Sequence, residues 1–276
     1  GNIQLSGNRK YSNNDIVSGN ITFYTIYRPE ISKNQPAEII KSSIPFKSHD
    51  MWSDSESSSY RIKATLRNLT CEKYNERKFL AKGEIVFTIT EIAQFQLTIF
   101  KGLDDTQFIC RNETIKLTDL CFEKEETSEI SQEVNMNSDE PSPVKILKES
   151  VETVEIHKQI TSGKLVINAA IISRILYNGE TDGEMQLCSR TLKTEFTQFI
   201  PVKDDLDPAL ISIDFDDSHI HVSVASNRQF LLHGQVTTIV CGYCHQEVTM
   251  VSDAYHKTYE TAFDVEETLL NDAKGT

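Results

Sequence analysis

Asn75-Glu76-Arg77-Lys78-Phe79-Leu80-Ala81-Lys82-Gly83 recurs without a gap as Ser226-Asn227-Arg228-Gln229-Phe230-Leu231-Leu232-His233-Gly234, with Arg77 and Arg228 standing 151 positions apart. Arg, Phe, Leu and Gly coincide. At the same spacing Ile62 falls on Ile213, Leu69 on Ile220, Ile85 on Val236 and Ile89 on Val240. Upstream, Ile21 to Tyr27 falls on Ile171 to Tyr177 at a spacing of 150. Self-similarity at one long period is the signature of tandem modules. The shared Arg-x-Phe-Leu-x-x-Gly reads as scaffold: Arg77 and Arg228 bond loop carbonyls, Phe and Leu open a buried strand, and Gly83 and Gly234 stand where a side chain is not tolerated.

Working outward, short stretches rich in β-branched and aromatic residues recur along both copies: Gly19 to Tyr27, Arg61 to Glu72, Phe79 to Thr90, Gln94 to Phe100, Lys164 to Tyr177, Ile211 to Ala225 and Phe230 to Val240. They read as strands. In Ser218-His219-Ile220-His221-Val222-Ser223-Val224 the aliphatic and polar residues alternate, which calls for one buried and one wet face. Helical periodicity is confined to Phe263 to Ala273. Glu123 to Glu140 holds seven acids and one lysine and runs into Pro141-Ser142-Pro143, a linker by composition. The expected architecture is therefore all-β with little helix: a β-sandwich-like module over 1–122, an acidic linker over 123–143, and a second module over 144–276.

The 276 residues suit two domains of ordinary size, each able to bury a core unaided. A net charge of −13 repels a phosphate backbone, and no basic cluster offsets it, so nucleic acid is excluded as a partner. No apolar run reaches the ~18–20 residues of a membrane-spanning helix. Residue 1 corresponds to about 151, and the stretch from Asp253 to Leu270 corresponds loosely to Gly102 through Leu120, so the chain is expected to be a segment of a longer tandem array. The three Asn-x-Ser/Thr sequons, at Asn20, Asn68 and Asn112, match chance for this composition.

The six cysteines, Cys71, Cys110, Cys121, Cys188, Cys241 and Cys244, have no cysteine at their counterparts and so are not the staple of a common fold. Cys71 replaces Val222 and is expected to pack as a buried thiol. The other five lie in connectors or near strand ends, where they are candidates for disulfides between subunits. Cys241-Gly242-Tyr243-Cys244 also offers a weak zinc half-site, with His219 and His221 as outside ligands, but a second pair at suitable spacing is missing. The histidines are scattered, no nucleophile motif accompanies them, and the acidic runs Asp204 to Asp207 and Asp214 to Asp217 match no calcium loop. No catalytic or cofactor-binding residue is assigned.

The second copy runs Pro143-Val144-Lys145-Ile146-Leu147, Val151-Glu152-Thr153-Val154-Glu155, Ile160-Thr161-Ser162-Gly163-Lys164-Leu165-Val166-Ile167 and then Ile171 to Tyr177. This opening, with Val251-Ser252-Asp253-Ala254-Tyr255 after the last strand and Thr114 to Asp119-Leu120 before the next domain, resembles the SPOCS domain of clostridial and bacillar spore-coat and exosporium proteins. The pattern departs at Ala169-Ala170 and at His256, and a peptidoglycan-binding module found in some members is missing. The resemblance implies a non-catalytic structural protein of the spore's outer layers, made in the mother-cell cytoplasm. Its implied partners are itself and other spore-coat proteins. An extended linker strand at Val134-Asn135-Met136 could then be donated to another subunit. A secreted or surface β-sandwich binding module is the alternative, although its immunoglobulin form lacks a cysteine ahead of Trp52.

Overall fold

The computed structural model describes residues 2–6, 10–11, 16–29, 35–48, 58–75, 78–93, 99–100, 102, 107–202 and 206–260. Among these the one helical element is a 3-10 turn at Pro208–Leu210, and strands account for nearly all the rest. The fold is all-β and divides into two units, Gly1–Leu97 with Glu184–Gln186, and Thr98–Gly183 with Leu187–Thr276. Arg77, part of Gln94 to Phe100 and the stretch Phe263 to Ala273 lie outside the described residues.

The first unit contains β1 (Asn2–Ser6), β2 (Lys10–Tyr11), β3 (Val17–Tyr27), β4 (Glu38–Ser48), β5 (Ser58–Asn75) and β6 (Lys78–Ala93). They form two three-stranded antiparallel sheets, in the orders β1-β3-β4 and β2-β5-β6. Val17 and Tyr60 are buried, with Leu5, Ile62 and Phe87 packed against them. Phe46 of β4 meets Phe87 of β6 at 5.8 Å between ring centroids.

The second unit contains β7 (Phe108–Asn135), β8 (Ser142–Thr161), β9 (Lys164–Thr181), β10 (Glu184–Pro201), β11 (Ile211–Asp216), β12 (His221–Ser226) and β13 (Gln229–His256). One sheet runs β8-β9-β10; in the other, β13 is flanked by β7 on one edge and by β11 and β12 in succession on the other. The β8–β9 and β9–β10 turns are two-residue turns, Ser162-Gly163 and Asp182-Gly183, with φ of 50° and 70°, and 53° and 80°. Positive φ at both central residues matches the right-handed twist of the flanking strands. Inward residues of β9 (Ile171, Ile175, Tyr177) and Leu192 of β10 meet Phe230, Leu232 and Val236 of β13, Val222 of β12 with Ile220 just ahead of it, and Ile130 of β7. Tyr177 packs edge-on against Phe230 at 5.3 Å. Fully burying each of these large side chains contributes about 1.5–3 kcal/mol, which makes this face the main source of the unit's stability.

The repeat is visible in the strand order. β3 and β9, which carry Ile21 to Tyr27 and Ile171 to Tyr177, are each the middle strand of a three-stranded sheet, and β6 and β13 start at equivalent residues. The β5–β6 register shifts between Arg67 and Thr70, leaving Gly83 opposite the bulge. In the second unit the same place is a full break between β11 and β12, with Gly234 opposite it. Gly234 has φ of +138°, and a Cβ there would lie 2.0 Å from the His219 carbonyl oxygen. A Cβ on Gly83 would meet only leucine side chains, the nearest being the Leu66 Cδ1 methyl at 3.0 Å. The shared glycine thus marks the point where the long strand passes a neighbour leaving its ladder.

The expected linker needs correction. Glu123 to Asn135 belongs to the second half of β7, paired with β13 from Cys241 back to Gln229. Of the expected linker, only Met136–Pro141 lies between strands. Acidic composition suggested an unpaired segment, but Phe122, Ile130 and Val134 recur on one face of β7 and pack on the core, while Glu123, Glu125, Glu129 and Glu133 lie on the other face. The strand expected to be donated to another subunit is taken up by β13 of the same chain.

Gly234→Ala is expected to lower stability by about 3 kcal/mol or more, because neither its φ nor the His219 carbonyl can yield cheaply. Gly83→Ala should cost less than about 1 kcal/mol. Urea unfolding midpoints of the two variants, followed by circular dichroism, measure the difference.

Candidate functional site

The connector Met136–Pro141 carries the chain from one sheet of the second unit to the other, and two arginines hold it. Arg228, in the β12–β13 turn, donates from Nη1 to the carbonyls of Asn137 (2.9 Å) and Glu140 (3.3 Å), while its own carbonyl accepts from the Met136 N–H at 2.9 Å. Arg190 of β10 donates from Nη2 to the Asn135 carbonyl at 3.0 Å and pairs with the Glu140 carboxylate at 3.0 Å. The Glu140 carboxylate also accepts from the Asn137 N–H. These contacts satisfy connector carbonyls and N–H groups that have no ladder partner.

Beyond Gly242, β13 continues to His256 paired with β7 from Leu120 back to Phe108, so the two strands leave the sandwich as a ribbon. The register steps from Gly242–Phe122 to Tyr243–Leu120, which makes Cys121 the extra residue of a β-bulge. Cys121 is disulfide-bonded to Cys244, one residue further along β13, with Cα atoms 6.0 Å apart. The bond staples the ribbon where it departs from the core and closes a sequence separation of 123 residues.

This disulfide corrects two expectations. Cys121 and Cys244 are joined within the chain and are not available to link subunits. The zinc half-site at Cys241 and Cys244 is not formed: Cys244 is spent, Cys241 is buried, and the proposed outside ligand His221 instead binds the Glu149 carboxylate through Nδ1 at 2.9 Å. Among the described residues no three His, Cys, Asp or Glu side chains gather at metal-binding distances. Cys71 is exposed rather than buried, because β5 past its bulge runs outside the face covered by the opposing sheet, whereas Val222 is in the core. Cys110 and Cys188 are partly exposed.

Tyr177 and Cys188 share a hydrogen bond near Gly179. Burial, followed by the charges of Cys188 and Glu140, pushes the Tyr177 phenol up to about 12, and burial likewise raises the Cys188 thiol. The acidic turns have structural work: Asp216 accepts from the Ser218 N–H, Asp217 from the Thr153 N–H, and Asp207 caps the 3-10 turn through the Ala209 N–H. Asp204 and Asp205 lie outside the described residues.

The two copies differ most in what they cover. Phe230, Val240, Ile220 and Tyr177 are 0%, 0%, 3% and 2% exposed, whereas their counterparts Phe79, Ile89, Leu69 and Tyr27 are 54%, 38%, 47% and 37% exposed. The opposing sheet explains part of this: at the 150-residue spacing Ile175 becomes Thr25 and Leu192 becomes Ser42, so β3 and β4 offer less apolar cover. Sequence comparison of the copies preserved the apolar positions on β6 but could not show that their burial differs.

Two outcomes follow from the cysteine and tyrosine geometry. Without reductant, proteolytic peptides bearing Cys121 and Cys244 should migrate as one joined species, and Cys244→Ser should cost about 2–4 kcal/mol. Between about pH 10 and the Tyr177 value of about 12, the unfolded phenol ionises before the folded one, so stability falls as pH rises across that window. Tyr177→Phe should flatten that fall in denaturant midpoints measured from pH 9 upward.

No family model, no curated protein and no solved structure matches this chain.

Proposed function

We propose that the protein is a non-catalytic structural module pair that assembles with copies of itself and with other proteins in the outer layers of a bacterial endospore. The observation that carries the assembly is the contrast between the copies. One apolar set is closed into a core in the second unit and left on the surface at Leu69, Phe79 and Ile89 in the first. A polar chain of net charge −13 gains from removing such a surface from water only when another molecule covers it. The spore location rests on the resemblance of the second copy to SPOCS modules. Among the free thiols, exposed Cys71 and partly exposed Cys110 are the ones suited to later cross-linking in an oxidising layer.

Negative-stain microscopy and sedimentation velocity of the purified chain test the assembly. Ordered sheets, fibres or large oligomers are expected, and Phe79→Asp with Leu80→Asp should disperse them while leaving the second unit folded. A chain that stays monomeric at micromolar concentrations overturns the reading.

A further inference from the structure

We infer that His256, at the tip of the ribbon, is a pH-operated latch: its neutral imidazole ties down the turn that follows β13, and a second proton on the ring releases it. The inference does not rest on the assembly reading. His256 is the last residue of β13 and stands opposite Phe108, the first of β7. Its Nδ1 accepts two backbone N–H bonds, from Thr258 at 3.1 Å and from Tyr259 at 3.0 Å. A nitrogen that accepts carries no proton, so the ring is neutral with its hydrogen on Nε2. The ladder closes just before the turn, where the Lys257 N–H donates to the Gln107 carbonyl at 3.0 Å. Thr258 and Tyr259 are exposed, and among the described residues the bonds to Nδ1 are the ones that hold their N–H groups.

The surroundings of the ring decide what yields. Phe108, on the neighbouring strand, meets the imidazole edge-on at 4.9 Å between centroids, and Tyr259 lies tilted against it at 4.8 Å. Strand alternation puts the Cys110 thiol on the face of Phe108 and His256, and Arg111 and Asp253 on the opposite face; the turn adds Lys257, Tyr259 and Glu260. Among the described residues no carboxylate pairs with the ring. When Nδ1 takes a proton from solvent, the ring becomes an imidazolium with a hydrogen on each nitrogen and no acceptor left. Rotating the ring restores nothing, because Nε2 is a donor too. Aromatic faces attract a cation, so the ring keeps its place against Phe108 while the N–H groups of Thr258 and Tyr259 turn to water. The ladder up to Lys257 makes no use of the ring and stays closed. The change is confined to the path of the chain from Thr258 onward.

Nuclear magnetic resonance of the intact, isotopically labelled protein from about pH 8 to about pH 5, the range in which histidines charge, tests the latch. The ring nitrogens of His256 are expected to show the hydrogen on Nε2 at the upper end. As the ring titrates, the Thr258 and Tyr259 amides should shift with its midpoint and lose their protection against hydrogen exchange, while the Lys257 amide keeps its own. His256→Asn supplies a side-chain carbonyl that accepts from the N–H groups that follow it and takes no proton in this range, so it should hold the turn at every pH. His256→Leu should leave both amides unprotected throughout. A hydrogen on Nδ1 at the upper end, a ring still neutral at the lower end, amides that stay protected through the ring's titration, or the same pH response in His256→Asn overturns the inference.

Discussion

The hydrogen-bonded ladder between β7 and β13 runs from Asn135–Gln229 to Phe108–His256, and the second unit is arranged around it. Within its sheet β13 is bonded on both edges, by β7 on one side and by β11 and β12 on the other, and its inward residues Phe230, Leu232, Val236 and Val240 supply the floor of both core clusters. With register so specified, a slip of one residue would turn all four toward solvent. Gly234 lets the ladder pass the β11–β12 break, the Cys121–Cys244 bond fixes the bulge where the ribbon begins, and Arg228 and Arg190 hold the connector that follows β7.

Side chains also close the edges of this sandwich. On one side Glu149 of β8 accepts from the Val222 N–H, Asp217 accepts from the Thr153 N–H of β8, and Lys158 of β8 donates to the Ile211 carbonyl at 2.6 Å. On the other, Gln198 of β10 accepts from Thr238 and donates to the Glu126 carbonyl, a buried polar bridge from β10 through β13 to β7. Edges tied in this way are poor templates for foreign strands. At the 150-residue spacing Gln198 becomes Ser48 and Arg190 becomes Ile40, groups too short or too apolar to make the same bonds. The first unit thus keeps the strand plan of the second without these edge ties.

The sequence by itself determined the strand-rich class, the tandem period, the inward face of β9 and β13 and the importance of Gly234, because each depends on local alternation or on direct comparison of the copies; at Gly83 the expectation that no side chain is tolerated fails, since a Cβ there meets leucine side chains rather than backbone. Arg228 was legible as a turn arginine for the same reason; which carbonyls it binds was not, since Asn137 and Glu140 lie about ninety positions away. Acidic composition masked β7, whose outward glutamates outnumber its inward Phe122, Ile130 and Val134. Only the tertiary structure decided that Cys121 meets Cys244 and that Cys71 is exposed, because sulfur pairing and burial depend on registers between strands far apart in the chain. It also decided that Phe79 stands in water where Phe230 does not. The same residue at the same place in a strand is core or surface according to the sheet that faces it, and that is a property of the partner sheet, not of the strand.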